Sequence, residues 1–210
     1  MENNKKIYGD AFERIVEASA ELFAENAFHS VGVREIANKA NVNISMISYY
    51  FGGKSGILIE ILNRFFDMQL NTLKISIVET DTKEESIKRL FRNIVDMIRN
   101  NTNICLIGFS DLPNNVPEVY ELKVNKTHQM MEIGNQISTK FCIDFCKKDE
   151  LTHILGPAMM SMLISHFTHK NFISQIYKVE FDNTYYETYC NALAELFLYG
   201  ITGFSNQKNL

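Results

Sequence analysis

The chain has 210 residues, of which 46% are hydrophobic, enough to fill a buried core in one large domain or two small ones. A formal net charge of -4 and a pI near 5.8 exclude a protein that coats nucleic acid or membrane with general positive charge, so any such contact must be local. The opening MENNKKIYGD has no apolar leader segment, and the apolar stretch around Met159 to Ile164 is broken by Ser and His well before the roughly 18 residues of a membrane span. Only Cys142 and Cys146 of the four cysteines are close in sequence, at neither a zinc nor a redox spacing. The protein is expected in the cytoplasm, with reduced thiols and no membrane partner.

Prolines stand only at 113, 117 and 157, and no glycine falls between 57 and 107, so the chain reads as all-helical. Phe12, Ile15, Val16, Ser19, Leu22 and Phe23 mark one face of a first helix from Asp10 to Ala24, with acidic residues opposite. After a break at 26–32, Val33 to Ala40 forms a short second helix, and Asn41 suits the left-handed residue of a tight turn. Asn43 then caps a third helix, Ile44 to Tyr50. Two short helices joined so tightly make a helix-turn-helix.

A longer helix follows from about Lys54 to Val78, its stripe running from Ile57 to Ile77. Thr82 and Glu85 form a capping box opening the next helix, whose stripe is Ile87, Leu90, Phe91, Ile94, Val95 and Ile98. The segment NNTNICLIGFSDLPNNVP is a loop holding a short helix, and Pro117 suits the first turn of a helix to about Phe145. Residues from Glu150 to Tyr177 are helical with a break or kink at Gly156-Pro157, and Asp182 to Tyr199 is the last helix.

A helix-turn-helix serves DNA recognition because one helix fits the major groove while flanking groups hold phosphates. The same spacing also describes an ordinary corner in a helical bundle. The residues decide more than the spacing does. Leu22-Phe23, Ala27-Phe28, Val33-Arg34-Glu35-Ile36-Ala37, Asn41-Val42 and Ile47-Ser48-Tyr49-Tyr50-Phe51-Gly52-Gly53-Lys54 occur in one order over about Asp10 to Leu62. In that order they resemble the N-terminal pattern of the TetR/AcrR family of transcriptional regulators. Leu196 to Ile201 resembles the end of the family's last helix.

The resemblance implies an all-α protein. An N-terminal three-helix helix-turn-helix DNA-binding head would span residues 1–53, and a C-terminal helical ligand-binding and dimerisation bundle residues 54–210. Lys54, behind two glycines at a helix start, combines an ammonium with a positive helix end and is the first candidate for a phosphate contact. The family's pattern gives Tyr50 a phosphate contact and puts Phe51 in the small core. Asn43, Ile44, Ser45, Met46, Ser48 and Tyr49 are candidates for base or sugar contacts, with Arg34 on the preceding helix, while Ile47 faces inward. Ser48 and Ile44 depart from the common tyrosine and basic residue, and Val31-Gly32 replaces a frequent hydroxyl pair that would cap the second helix. From Arg34 to Lys54 the balance is +2, with Arg34, Lys39 and Lys54 against Glu35. The basic side is therefore narrow, and a homodimer reading two half-sites of operator DNA would supply the rest of the affinity.

For the second half the resemblance implies a small apolar ligand. Methionine and aromatic side chains adapt to such molecules, making Phe66, Phe91, Cys105, Phe109, Met130, Met131, Ile133, Met159, Met160 and Met162 candidates, although such residues at helical spacing are more often plain core. Dimer contacts are expected from the last two long helices, at Leu163, Ile164, Phe167, Leu193, Leu196 and Phe197, again with core as the alternative. The implied function is a repressor that leaves DNA when ligand binds, through a changed tilt of the helix starting at Lys54. Alternatives are a helical protein-interaction module without DNA binding and a redox-responsive regulator using Cys142 and Cys146, four apart on one helix face. No enzyme, metal or cofactor is expected. The carboxylates are scattered, no phosphate loop is present, and His153, His166 and His169 have no acidic or thiol partner at metal spacing.

Overall fold

The computed structural model describes residues 2–76, 78, 82–110, 116–140 and 149–206, and among them every regular element is an α-helix. In chain order these are α1 (Glu2–Glu25), α2 (Val33–Lys39), α3 (Ile44–Phe51), α4 (Lys54–Ser76), α5 (Lys83–Asn100), α6 (Thr102–Phe109), α7 (Pro117–Lys140), α8 (Asp149–Thr168), α9 (Lys170–Tyr177) and α10 (Asn183–Asn206). They form two compact units, one of Met1–Asp67 with Asn101–His128, the other of Met68–Asn100 with Gln129–Leu210. No helix among the described residues is long and apolar enough to cross a membrane.

The first unit is built on α1. Ile15, Val16, Leu22 and Phe23 bury the apolar stripe read from the sequence, and Ile36 and Ala37 of α2, Ile47 of α3 and Ile57, Leu58, Ile61 and Leu62 of α4 are buried in the same unit. Each such side chain contributes about 1.5–3 kcal/mol on burial, which is how helices of seven and eight residues, too short to hold alone, stay folded. α6 packs beneath α1 and α4, with Phe109 edge-on to Phe65 at 4.9 Å and Gly108 against the Phe65 ring.

The second unit pairs α5 with α10. Ile87, Leu90, Phe91, Ile94, Val95 and Ile98 form the buried stripe of α5, and Phe91 meets Phe197 of α10 at 5.6 Å. The expected capping box opens α5: the Thr82 N–H donates to Glu85 Oε2 at 2.9 Å and the Glu85 N–H to Thr82 Oγ1 at 3.3 Å. α8 joins α10 through the Tyr189 hydroxyl, which donates to the carbonyls of Met162 and Leu163.

α1 begins at Glu2 and α10 runs to Asn206, beyond the expected Asp10 and Tyr199, and between them one break is placed differently. α8 runs unbroken through Gly156 and Pro157, and the chain breaks at His169, between α8 and α9. A proline inside a helix costs about 3 kcal/mol, while burial of Leu163 and Phe167 on the same helix returns about 1.5–3 kcal/mol each. The helix therefore continues. Cys142, Cys146 and the expected end of α7 near Phe145 lie outside the described residues, as does Ile77.

Candidate nucleic-acid interface

The turn between α2 and α3 is set by local chemistry. Asn41 takes φ 51, the left-handed conformation that its short amide side chain tolerates. The Asn41 N–H then donates to the Asn38 carbonyl at 3.1 Å and the Val42 N–H to the Ala37 carbonyl at 3.0 Å, the two bonds of a Schellman motif. Asn43 starts α3 as expected, its Oδ1 accepting from the Ser45 N–H at 2.9 Å and the Ser45 hydroxyl at 2.8 Å. Gly32 caps α2 without a side chain, and Glu35 supplies half of a capping box by accepting the Gly32 N–H at 3.4 Å.

Ile47 is fully buried, which turns the opposite face of α3 outward. Ile44, Ser45, Ser48 and Tyr49 share that face at helical spacing, Ile44 43% exposed and Tyr49 77% exposed. The face is uncharged. Asn43 is exposed at its start, with its amide oxygen already engaged as the cap, and Met46 is half-buried at its edge. The aromatic run divides over one platform: Phe51 stacks on Phe12 of α1 at 4.7 Å, and Tyr50 meets the same ring edge-on at 5.7 Å. Phe51 is thus half-buried against α1, and Tyr50 lies between it and the exposed Tyr49.

Charge is distributed more sparingly than the count of +2 suggests. Lys39 pairs with Glu21 of α1 at 2.8 Å, which holds its ammonium above the usual lysine range. Lys54 Nζ donates to the carbonyls of Phe28 at 2.7 Å and Val31 at 2.8 Å, and burial lowers its pKa. Arg34 is exposed and, among the described residues, has no ion-pair partner.

Three supports of this head were not read from the sequence. Arg14 Nη1 reaches from α1 to the carbonyls of Ala40 and Asn41, each at 3.1 Å, satisfying acceptors at the end of α2. Arg64 of α4 grips Glu13 of α1 with two bonds, at 2.7 and 3.0 Å, while its Nε donates to Glu60 at 2.8 Å. Those bonds from Arg64 hold the Glu13 carboxyl below the usual carboxylate range. Gly56 lets the first turn of α4 pass close to the Phe51 carbonyl. A charge pattern of i and i+4 shows Glu60-Arg64, but contacts between helices carry no sequence spacing. Arg14→Met is expected to destabilise the chain by about 1–3 kcal/mol, read as a lower urea midpoint with an unchanged slope, because two carbonyls lose their charged donor.

The remaining expected sites divide between the units. Phe66, Cys105 and Phe109 belong to the first, the first two buried and Phe109 half-buried. Phe91, Met130, Met131, Ile133, Met159, Met160 and Met162 belong to the second; Phe91 is buried, Met130, Ile133, Met159 and Met160 half-buried, and Met131 and Met162 exposed. Burial pushes the Cys105 thiol up to about 12 and the Cys190 thiol to about 11, so neither is a ready thiolate. Leu163, Phe167 and Leu193, expected at a dimer surface, are buried within the single chain, whereas Ile164, Leu196 and Phe197 are half-buried. The cause is the packing of α8 on α10, which consumes those side chains. His166 sits 4% exposed among Phe167, Phe181, Tyr185, Tyr186 and Tyr189. Its two ring nitrogens face the Tyr185 and Tyr186 hydroxyls at 3.4 Å.

The first unit thus holds a helix-turn-helix with one outward, uncharged face on α3. Residues 15–61 match the family model described as bacterial regulatory proteins, tetR family. The YttP protein of Bacillus subtilis, an HTH-type transcriptional regulator by its description, is 32% identical over 94 residues, 44% of this chain and 45% of that protein. A TetR-family transcriptional regulator from Bordetella parapertussis has a similar structure, with TM-score 0.74 and 14% identity over 91% of this chain and 95% of the other. The transcriptional regulator FadR from Bacillus subtilis, solved in complex with stearoyl-CoA, is similar at TM-score 0.58 and 21% identity over 90% of this chain and 99% of the other. The chain spans about half the length of the curated relatives it matches. Over residues 15–61 the chain is thus similar to the N-terminal region of the TetR family of bacterial regulatory proteins.

Proposed function

We propose that the chain is a homodimeric DNA-binding transcriptional regulator, a repressor released from its operator by a small hydrophobic or amphipathic molecule. The observation that carries this reading is the outward face of α3, where Ile44, Ser45, Ser48 and Tyr49 stand exposed on a buried Ile47 in a capped helix-turn-helix. Hydroxyls and an isoleucine suit base edges and thymine methyls, while Arg34, Asn43, Met46 and Tyr50 flank them toward sugar and phosphate. In this reading residues 1–53 are the DNA-binding head and 54–210 the ligand-binding and dimerisation part. Lys54 joins the two parts.

The related FadR bound to stearoyl-CoA supports an acyl chain as the ligand class. Within the second unit, Phe91, Met130, Met131, Met159 and Met162 are the side chains proposed to meet it, and Leu196 and Phe197 on α10 the first proposed dimer contacts. Release requires that ligand bind the DNA-free state more tightly than the DNA-bound one. Long-chain acyl-CoA is therefore expected to lower the affinity for a selected DNA duplex, read by fluorescence anisotropy; unchanged affinity at saturation would remove the release mechanism.

DNA binding itself has a sharper test. Affinity of the wild-type chain for a duplex selected from a random library should fall steeply with salt, and Arg34→Ala should reduce the slope of log K against log salt by about 0.9 per protomer. An unchanged slope would remove Arg34 from the phosphate contacts. A wild-type chain that enriches no duplex would favour the protein-interaction alternative.

A further inference from the structure

We propose that Gln69, Thr72 and Asn93 form a neutral hydrogen-bonding subsite within the second unit, which takes an uncharged oxygen group, an ester or thioester carbonyl or a hydroxyl, on an otherwise apolar ligand. The proposal deepens the ligand reading and rests on it for any effect on DNA. The C-terminal part of α4 carries polar side chains where a core face is expected: Gln69 is 6% exposed, Thr72 7% and Ser76 2%, all on one side of the helix. Ser76 is satisfied. Its hydroxyl donates to the Thr72 carbonyl at 2.6 Å and accepts from Asn93 Nδ2 of α5 at 2.9 Å, which also fixes the way the Asn93 amide turns.

The neighbouring polar ends have no such partners. Among the described residues nothing bonds the Gln69 amide, the Thr72 hydroxyl or Asn93 Oδ1. The exposed Thr168 and Thr188 turn their hydroxyls back on the Ile164 and Thr184 carbonyls, at 3.1 and 3.0 Å, a bond that the buried Thr72 does not make. The described side-chain atoms that are both sealed and unpaired are Arg14 Nε and Ser19 Oγ, so the ends of Gln69 and Thr72 keep a little accessible surface where an incoming atom can meet them. Buried amides and hydroxyls are normally bonded, and a ligand oxygen completes these. Each of them both donates and accepts, which suits a carbonyl or a hydroxyl. No Asp, Glu, Lys or Arg is buried among the described residues, so an ionised carboxylate or phosphate would enter without a countercharge. Leu90 and Met97, one turn to either side of Asn93 on α5, are buried and apolar and suit the hydrocarbon part of the ligand.

The test measures binding to the full-length, DNA-free chain by calorimetry in mildly alkaline buffer, with methyl laurate, lauryl alcohol and laurate ion as probes of equal chain length. The unaltered chain is expected to bind a neutral probe about tenfold or more tightly than laurate, because only the ion is buried without a countercharge. Laurate binding as tightly as the better neutral probe, or no binding of any probe, would overturn the subsite and leave these polar ends to water. Gln69→Leu removes the amide at similar volume. It is expected to weaken the neutral probes about tenfold, to leave laurate where it was, and to raise the urea midpoint of the free chain, since an unpaired buried amide gives way to hydrocarbon. Thr72→Val is expected to follow the same pattern. Unchanged affinity for the neutral probes, or a lowered midpoint in both variants, would make the two residues structural and overturn the assignment. The comparison of probes on the unaltered chain stands whether or not a variant folds. A neutral probe that binds through Gln69 and leaves DNA affinity unchanged would remove the release mechanism alone, whereas release by acyl-CoA undiminished in both variants would remove the subsite alone.

Discussion

Gly56→Ala is expected to destabilise the chain by about 2 kcal/mol or more and to abolish tight DNA binding, although alanine is the better helix former. A Cβ at position 56 would lie 1.8 Å from the Phe51 carbonyl oxygen and 2.8 Å from its carbon. Both are backbone atoms, so no side chain can swing aside. Alanine gains about 1 kcal/mol of helix propensity over glycine, and overpacking of this kind costs about 1–3 kcal/mol when a flexible neighbour can yield. Here the neighbour is the last turn of α3, so the clash wins. The relief available is to move α3 away from α4, which turns the exposed face of Ile44, Ser45, Ser48 and Tyr49 out of register with the groove. Gly32→Ser is the contrasting case. Its Cβ meets nothing within 4 Å, its φ of -91 suits any residue, and the hydroxyl adds the missing cap of α2. Serine there is expected to leave stability unchanged or raise it by up to about 1 kcal/mol. Urea denaturation of both variants beside the wild type separates the two effects. Equal midpoints for Gly56→Ala and wild type would show that the two helix ends part without cost.

Lowering the pH from 7 to 5 is expected to cost the second unit about 2 kcal/mol through His166 alone. Burial is the main cause, with the Lys170 charge adding to it, and together they bring the His166 pKa down from 6.5 to about 4. The neutral ring is the form the fold accepts, packed between tyrosine rings and facing their hydroxyls. Because the folded pKa lies below the unfolded one, the stabilisation is complete above about pH 6.5. It is lost as protons enter the unfolded state first, and the loss levels off below about pH 4, at up to about 3 kcal/mol. Glu13 and Glu85 also have lowered pKa values, from the bonds given by Arg64 and Thr82 respectively, and their contribution is lost only below about pH 4.5. His166→Phe keeps an aromatic ring in the cluster and removes the titrating group. Thermal melts of the variant are expected to stay flat from pH 7 to 5 where those of the wild type fall. Parallel profiles would show that His166 is not the source.

How much of this molecule was legible in its sequence depended on the range of the interaction concerned. Asn41 announced the turn and Asn43 the cap because each acts within two or three residues of its own backbone, and the Thr82-Glu85 capping box is local in the same way. The stripes of α1, α4 and α5 were legible because a helical period repeats along the chain. The aromatic run was only half legible: its residues were visible, but Phe12, the platform that separates Tyr50 and Phe51 from Tyr49, lies on another helix. At Pro157 a local rule left a break or a kink open, and burial of Leu163 and Phe167 keeps the helix continuous through it. Leu163, Phe167 and Leu193 were ambiguous for a related reason. An apolar residue faces a core or a partner with the same side chain, and only the packing of α8 on α10 distinguishes them.

The sequence by itself determined the all-helical class, the helix-turn-helix and the family pattern, since periodicity, capping and turn chemistry act within a few residues. Only the tertiary structure decided where the charges go. Arg34, Lys39 and Lys54 read as three cations along the candidate interface, and the fold spends Lys39 on Glu21 and Lys54 on the Phe28 and Val31 carbonyls, while Arg14 of α1 serves the Ala40 and Asn41 carbonyls. Acceptors at helix ends and in tight connections need donors wherever the chain brings them. Those partners stand 18 to 27 residues away in sequence, where no local pattern records them.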